Sequence, residues 1–168
     1  MSIKAIIQAN LGQRLFPLDP VFKSDESVRT MIVSQEVLDA VEGDFPDNWD
    51  GLRLADFRET LDAFSTGEEI TVGENPFQKP GDCYMARVDP VALEVVDIRT
   101  MFGPGIRVFG SIVDLDCFVA LTWDYREDMN FGYECARCKH DWKQIFGSLE
   151  PYSKGKRLDE CLTKVFAV

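Results

Sequence analysis

Four arginines are the side chains of this sequence best placed to carry chemistry, because one lies on or just beyond each of four successive strand-like runs. They are Arg87, Arg99, Arg107 and Arg126. The planar guanidinium group of arginine binds phosphate and carboxylate through paired hydrogen bonds. If the strand register brings two or three of these arginines onto one face, they form an anion-binding site. We favour the alternative that each arginine pairs with a carboxylate such as Asp89, Asp97 or Asp124, because opposite charges stabilise neighbouring strands.

The four runs themselves predict an antiparallel meander within residues 83–126. They are Cys83–Val88, Leu93–Thr100, Gly105–Val113 and Asp116–Tyr125, and all are rich in β-branched and aromatic residues. Their connections are too short for a parallel crossover, which needs roughly a dozen residues. Alternation along the last run predicts one face with five members, namely Cys117, Val119, Leu121, Trp123 and Tyr125. Phe118, Ala120 and Thr122 make the other face largely apolar too, so we expect cover on both sides of the sheet.

Segments before and after the meander supply candidates for that cover. Helices are predicted from about Glu26 to Val41, from about Leu52 to Phe64 and from about Leu158 to Val165. The second helix has the clearest core-facing stripe, consisting of Leu54, Phe57, Leu61 and Phe64. Glu69–Val72 is predicted to form a short edge strand. The predicted fold is therefore α+β: a single domain over residues 1–168, with an antiparallel sheet of four to five strands covered by amino-terminal and carboxy-terminal helices.

Length and apolar content limit the class of protein. Of the 168 residues, 45% are hydrophobic, which is enough for one well-buried core. The apolar run at the amino terminus is too short for a signal peptide, and no stretch reaches the roughly 20 apolar residues of a membrane span. We therefore expect a cytoplasmic protein without membrane association, and we expect its five cysteines to be reduced.

The charge distribution bears on the partners of the chain. The net charge of −11 disfavours general binding to nucleic acid, which needs clustered lysine and arginine. Residues 1–84 carry 7 basic and 16 acidic side chains, whereas residues 85–168 carry 11 and 13. The second half has room for a local basic patch, while the acidic first half suits basic partners. The predicted partner is a protein or a second copy of this chain, and RNA is disfavoured.

The most motif-like stretch is Cys135-Ala-Arg-Cys138-Lys-His140, since thiolate and imidazole are ligands that zinc prefers. At helical spacing both cysteines fall on an apolar stripe with Trp142 and Phe146, whereas His140 points to the opposite side. The sequence has no second Cys-x-x-Cys, no glycine-rich phosphate loop and only one histidine. We therefore predict that this stretch is a core-facing helix, with no metal site and no cofactor.

Three segments of the meander resemble, in this order, the core of the RelE/ParE-type toxins. They are Val96-Asp-Ile-Arg99, Gly105-Ile-Arg-Val-Phe109 and Phe118-Val-Ala-Leu-Thr-Trp-Asp-Tyr-Arg126. The resemblance implies a ribosome-dependent messenger-RNA endonuclease, in which arginines stabilise phosphate charge and a basic or tyrosine side chain assists proton transfer. The residues in those positions are Arg99, Arg107, Tyr125 and Arg126.

Acidic residues interrupt the pattern of that family. Where the family tends to place paired lysines, this chain has Asp124 before Tyr125 and Glu127–Asp128 after Arg126. This difference favours a shared scaffold over an active toxin, because one fold can host several functions. We expect a non-enzymatic protein-interaction or regulatory domain. The alternative is a RelE-like messenger-RNA endonuclease that acts through the arginines of the meander.

Overall fold

A single β-sheet connects all the strands in the described part of the chain, and helices lie against both of its faces. The computed structural model describes residues 1–21, 27–43, 51–100, 105–127 and 129–168. The strands within these ranges are β1 (Leu15–Pro17), β2 (Thr30–Ser34), β3 (Ile70–Gly73), β4 (Met85–Arg87), β5 (Val96–Arg99), β6 (Ile106–Asp114), β7 (Cys117–Tyr125) and β8 (Val165–Ala167). Their order across the sheet is β1-β2-β7-β6-β5-β4-β3-β8.

Four α-helices accompany this sheet in the same ranges. They are α1 (Ile3–Asn10), α2 (Gln35–Glu42), α3 (Gly51–Ser65) and α4 (Phe131–Phe146). Short 3-10 helices occur at Val91–Leu93 and Leu158–Glu160. None of the helices in the described ranges combines the length and the apolar character that crossing a bilayer requires.

The α+β class is confirmed, but the expectation of a purely antiparallel sheet of four to five strands is wrong. Strands β4 to β7 do form the predicted antiparallel meander. However, β2 pairs in parallel with β7, and β3 pairs in parallel with both β4 and β8. Parallel pairing is open to these strands because long segments, rather than tight turns, separate each from its parallel neighbour.

The predicted helix from Glu26 to Val41 is wrong over much of its length. Its start lies outside the described residues, Thr30–Ser34 forms β2, and α2 begins only at Gln35. The three apolar residues of β2 are buried alternately on the two faces of the sheet, as in a strand covered on both sides. Ser34 then starts the helix, because its Oγ accepts a hydrogen bond from the amide of Val37 at 3.3 Å.

The second predicted helix is confirmed by α3, which extends one residue beyond each predicted end. Three members of its predicted stripe have no exposed surface, namely Phe57, Leu61 and Phe64. The strand predicted at Glu69–Val72 forms as β3, but it is not an edge strand. It lies between β4 and β8, so its hydrogen-bonding groups are paired on both sides.

The carboxy-terminal segment forms the short 3-10 helix and β8 instead of the predicted helix from Leu158 to Val165. The amide of Thr163 donates to the carboxylate of Asp116 at 2.7 Å. The fully buried guanidinium of Arg29 donates to the carbonyls of Thr163 and Lys164 at 2.7 and 3.1 Å. Because these backbone groups bond to distant residues, they are not available for a continuous helix. Leu158 and Leu162 are nevertheless buried in the core.

Apolar residues cover both faces of the sheet, as the composition of the last meander run predicts. One core lies between the sheet and helices α2 and α3, and a second lies between the sheet and helices α1 and α4. The second core contains Cys135, Cys138, Trp142 and Phe146 of α4, whereas His140 is exposed. The helical stripe predicted around the Cys-x-x-Cys sequence is therefore confirmed.

A β-bulge between β6 and β7 reverses the predicted alternation at the end of β7. Phe109 pairs with Thr122 and Gly110 pairs with Ala120, so Leu121 has no partner. Val119 and Leu121 lie in the core beneath α4, and Cys117 packs against the same core. These three residues therefore share one face, as predicted. Beyond the bulge, however, Trp123 and Tyr125 pack on the opposite core beside Phe118 and Ala120. The prediction that all five odd-numbered residues share one face is therefore wrong. The prediction that Thr122 shares the face of Phe118 and Ala120 is wrong as well.

The bulge requires a glycine at position 110. A Cβ atom built there would lie 1.9 Å from the carbonyl oxygen of Val119 and 2.7 Å from the ring of Phe118. The first distance is far below any contact that real Cβ atoms make, and the obstacle is backbone rather than a movable side chain. Gly110 therefore allows β6 and β7 to approach closely at this point.

We expect Gly110→Ala to lower the free energy of unfolding by about 3 kcal/mol, because two backbones must separate to admit the methyl group. Gly81→Ala is the matched control, since a Cβ atom there meets nothing within 4 Å. Urea denaturation followed by circular dichroism measures both variants. Equal stability of the two variants would contradict the role assigned to Gly110.

Candidate anion-binding site

Three of the four meander arginines meet at one end of the sheet, on the face that α4 covers. Arg99 on β5 is the direct register partner of Arg107 on β6. Arg126 follows β7, where its amide donates to the carbonyl of Gly105 at 2.8 Å and extends the pairing beyond the strand. Together the three side chains line a hollow of about 40 Å³, which we call the arginine hollow.

The arginine hollow adjoins a larger cleft of about 560 Å³, and the two share Gly81, Arg99 and Arg107. The other walls of the cleft come from the loop before β4, from the turn after β4 and from the start of α4. These residues are Pro76, Phe77, Lys79, Pro80, Asp89, Pro90, Phe131 and Gly132. The ring of Phe131 lies against the guanidinium of Arg107, whose central carbon is 5.0 Å from the ring centroid.

One buried carboxylate holds two of the arginines in place. Asp97 has no exposed surface, and it accepts hydrogen bonds from Arg99 Nε at 3.2 Å and from Arg107 Nη1 at 2.5 Å. Asp97 is one of the carboxylates that the sequence analysis names as candidate partners, but a single carboxylate cannot neutralise two guanidinium groups. Asp97 therefore orders the pair and leaves a net positive charge beside the hollow.

Among the described residues, the other two candidate carboxylates, Asp89 and Asp124, form no ion pair with these arginines. Asp124 faces Arg107 in the register of β6 and β7, and its carboxylate accepts from the amide of Tyr125 at 2.8 Å. Asp89 lines the cleft rather than the arginine hollow. Arg126 is exposed and forms no ion pair with any residue that the structure describes.

Burial and like charge both act on the cations of the site. Burial lowers the pKa of the Arg107 guanidinium, Asp97 opposes this effect, and Arg99 and Arg126 add to it. Burial also lowers the pKa of the Lys79 ammonium, and Arg99 lowers it further. Within the described residues the Nε atom of Arg107 is buried without a hydrogen-bond partner. An anion in the hollow would therefore relieve repulsion among groups that the fold already holds together.

Arg87, the fourth meander arginine, lies outside this group and is fully paired. Its Nε donates to Glu74 and its Nη1 to Glu94, each at 2.9 Å, and only 6% of its side chain is exposed. It also donates to the carbonyl of Ser153 at 3.1 Å. For Arg87, therefore, the favoured pairing with a carboxylate is observed, although Glu74 and Glu94 are not among the three carboxylates that the sequence analysis names.

Tyr125 is also separated from the other residues that the sequence marks as a candidate site. It packs against Trp123 on the α3 side of the sheet, and the guanidinium of Arg53 lies 5.7 Å from the centre of its ring. The structure thus brings together Arg99, Arg107 and Arg126, and it places Tyr125 on the other face. The bulge is the cause, because it turns each residue after Leu121 to the side of the sheet opposite to the predicted one. Tyr125 therefore faces α3, and Arg126 faces α4.

Sequence reasoning missed three residues of this site. Lys79 and Phe77 belong to a proline-containing loop before β4, and Phe131 begins α4. No periodic pattern shows that this loop and this helix lie beside the ends of β5 and β6. The one signal in the sequence is compositional, since an exposed phenylalanine and a lysine stand between two prolines in a segment otherwise interpreted as a connection.

No cysteine is among the described residues that line the arginine hollow or the cleft. Burial raises the pKa of the Cys135 thiol to about 11 and also raises that of Cys138, so both favour the neutral form. Across the ranges that the structure describes, no three or more histidine, cysteine, aspartate or glutamate side chains are grouped to hold a metal ion.

Comparison with known proteins found no matching protein family, no similar curated protein and no similar solved structure. The resemblance to RelE/ParE-type toxins therefore stays a prediction, and the function is argued from the geometry of the site alone.

We expect Asp97→Asn to lower the free energy of unfolding by about 3 kcal/mol, because it leaves two buried guanidinium groups without their carboxylate. Sulfate should then raise the melting temperature of Asp97→Asn more than that of the parent chain, relative to chloride at equal ionic strength, because the anion replaces the missing charge. Thermal unfolding measures both effects.

The control for this prediction is Asp159→Asn, which removes one partner of an exposed pair with Arg157. We expect its stability and its response to sulfate to match those of the parent chain. If sulfate stabilises Asp97→Asn no more than it stabilises this control, the arginines do not form an anion site.

Proposed function

We propose that this chain is a non-enzymatic regulatory or interaction domain that binds an anionic group, a phosphate or a carboxylate, in the arginine hollow. The convergence of Arg99, Arg107 and Arg126 around a single buried carboxylate is the observation that carries the proposal. Two of these guanidinium groups are held by Asp97, so little side-chain entropy is lost when an anion binds. The third is exposed and reaches the same hollow from the end of β7.

Lys79 adds a fourth positive charge at the edge of the adjoining cleft. Its Nζ donates to the carbonyl of Arg87 at 3.3 Å, which holds the ammonium near the sheet. Because its pKa is lowered by burial and by Arg99, an anion placed between Lys79 and the arginines would favour its charged form. A phosphate satisfies this arrangement better than a carboxylate, since it offers more acceptor oxygens to several donors at once.

The endonuclease alternative receives less support from the same geometry. The phosphate-binding role that the endonuclease mechanism requires is consistent with the three converging arginines. That mechanism assigns proton transfer to a basic or tyrosine side chain, and of the candidates for that role Tyr125 packs on the opposite face of the sheet. The net charge of −11 also opposes the approach of a polyanion to any surface beyond the local patch. Binding without cleavage is therefore the function that the site supports best.

We expect Arg126→Gln to weaken the binding of inorganic phosphate about tenfold, because it removes one charge-assisted hydrogen bond from an exposed side chain without disturbing the fold. Isothermal titration calorimetry at constant ionic strength measures the affinity. Arg14→Gln is the matched control, since Arg14 is also exposed and lies outside the hollow and the cleft.

The proposal fails if the parent chain and Arg126→Gln bind phosphate equally well. It also fails if Arg14→Gln weakens binding as much as Arg126→Gln does, because the effect would then reflect net charge rather than a site.

A further inference from the structure

We infer that the anion bound by this chain is the phosphate of a mononucleotide, with the phosphate in the arginine hollow and the base in the adjoining cleft. This assignment rests on the anion-binding function proposed above and names the ligand of that site. The two compartments differ in size and in chemistry, and each of them matches one end of a nucleotide.

The arginine hollow matches the phosphate. One water molecule needs about 10–15 Å³ of such space. The volume of the hollow, about 40 Å³, therefore admits a group of a few non-hydrogen atoms. Its lining residues include Arg99, Thr100, Arg107 and Arg126, and no carboxylate is among those that the structure describes. A nucleoside does not fit in this space, so the rest of a phosphate-containing ligand must extend into the cleft.

The cleft matches an aromatic base attached to that phosphate. At about 560 Å³ it lies within the usual range for small-molecule sites. Phe77 lines it with 77% of its surface exposed, which is unusual for a phenylalanine that no apolar neighbour covers. Its amide donates to the side chain of Asn75 at 2.9 Å. Aromatic side chains beside arginines form stacking sites for nucleobases.

Two further features of the cleft fit a base and ribose better than a plain apolar group. Asp89 lines the cleft and provides an acceptor for a ribose hydroxyl or for an amino group of the base. Phe131 forms another part of the wall, with Arg107 against its ring. Phe77, Phe131 and the neighbouring prolines make the apolar part of the lining, and the charged residues beside them, Asp89 among them, can orient a ligand.

The charge of the whole chain selects a single nucleotide over a polynucleotide. The net charge is −11, and the cations of the site are confined to the hollow and its junction with the cleft. Each additional phosphate of an RNA strand would lie outside these cations and would be repelled. A single-phosphate nucleotide places its charge where the arginines converge and adds none elsewhere.

The test compares inorganic phosphate, ribose 5-phosphate, AMP, GMP and UMP by isothermal titration calorimetry at constant ionic strength. At least one nucleotide should bind about tenfold more tightly than ribose 5-phosphate, because stacking of the base adds to phosphate binding. Phe77→Ala should abolish this tenfold difference and leave the affinity for ribose 5-phosphate unchanged. Phe166→Ala is the matched control, since it removes an exposed phenylalanine from β8, outside the cleft.

The failures of the two proposals are distinguishable. If ribose 5-phosphate binds as tightly as every nucleotide, or if Phe77→Ala has no more effect than Phe166→Ala, the nucleotide assignment is overturned and anion binding stands. Tighter binding of a phosphotyrosine peptide or of a single-stranded oligonucleotide than of any mononucleotide also overturns the assignment. If neither phosphate nor ribose 5-phosphate binds, the proposed anion site itself fails.

Discussion

The close approach of β6 and β7 at Gly110 determines which side chains reach the candidate site. Gly110 has no side chain, and the carbonyl of Val119 therefore lies so close to it that no Cβ atom could be accommodated. The extra residue Leu121 then shifts the alternation along the rest of β7. As a result Arg126 joins Arg107 on the α4 side, and Tyr125 turns toward α3. Crowding between two backbones thus sets the composition of the site.

Asp97 determines how much of the positive charge of Arg99 and Arg107 is neutralised. A fully buried carboxylate is strongly unfavourable without partners, and here two guanidinium groups stabilise it. The same arrangement leaves the guanidinium groups incompletely neutralised, and burial together with mutual repulsion lowers the pKa of Arg107. A structural ion pair and an anion site are therefore not alternatives in this protein. The carboxylate fixes the arginines for folding, and under the proposed function their excess positive charge would attract the anionic ligand.

The sequence predicts the elements whose structure is determined by neighbouring residues. It does not predict the segments whose structure is determined by contacts with residues far away in the sequence. Turn residues and helical spacing were sufficient for the meander and for α3. The helix predicted from about Glu26 to Val41 includes β2, because a short apolar run buried on two faces does not differ in sequence from part of a helix. The tail after Leu158 depends on Arg29 and Asp116, which are remote in sequence. The three arginines were identified, but neither the bulge nor the loop that carries Lys79 has a local signature.

The most direct test of the anion site is a crystal structure of the chain grown with tungstate, whose anomalous scattering locates a phosphate-like oxyanion. The account predicts one tungstate ion in the arginine hollow, within hydrogen-bonding distance of Arg99, Arg107 and Arg126, with Asp97 still bonded to the first two. An empty hollow at millimolar tungstate, or an Arg126 side chain that points away from β6, would contradict it.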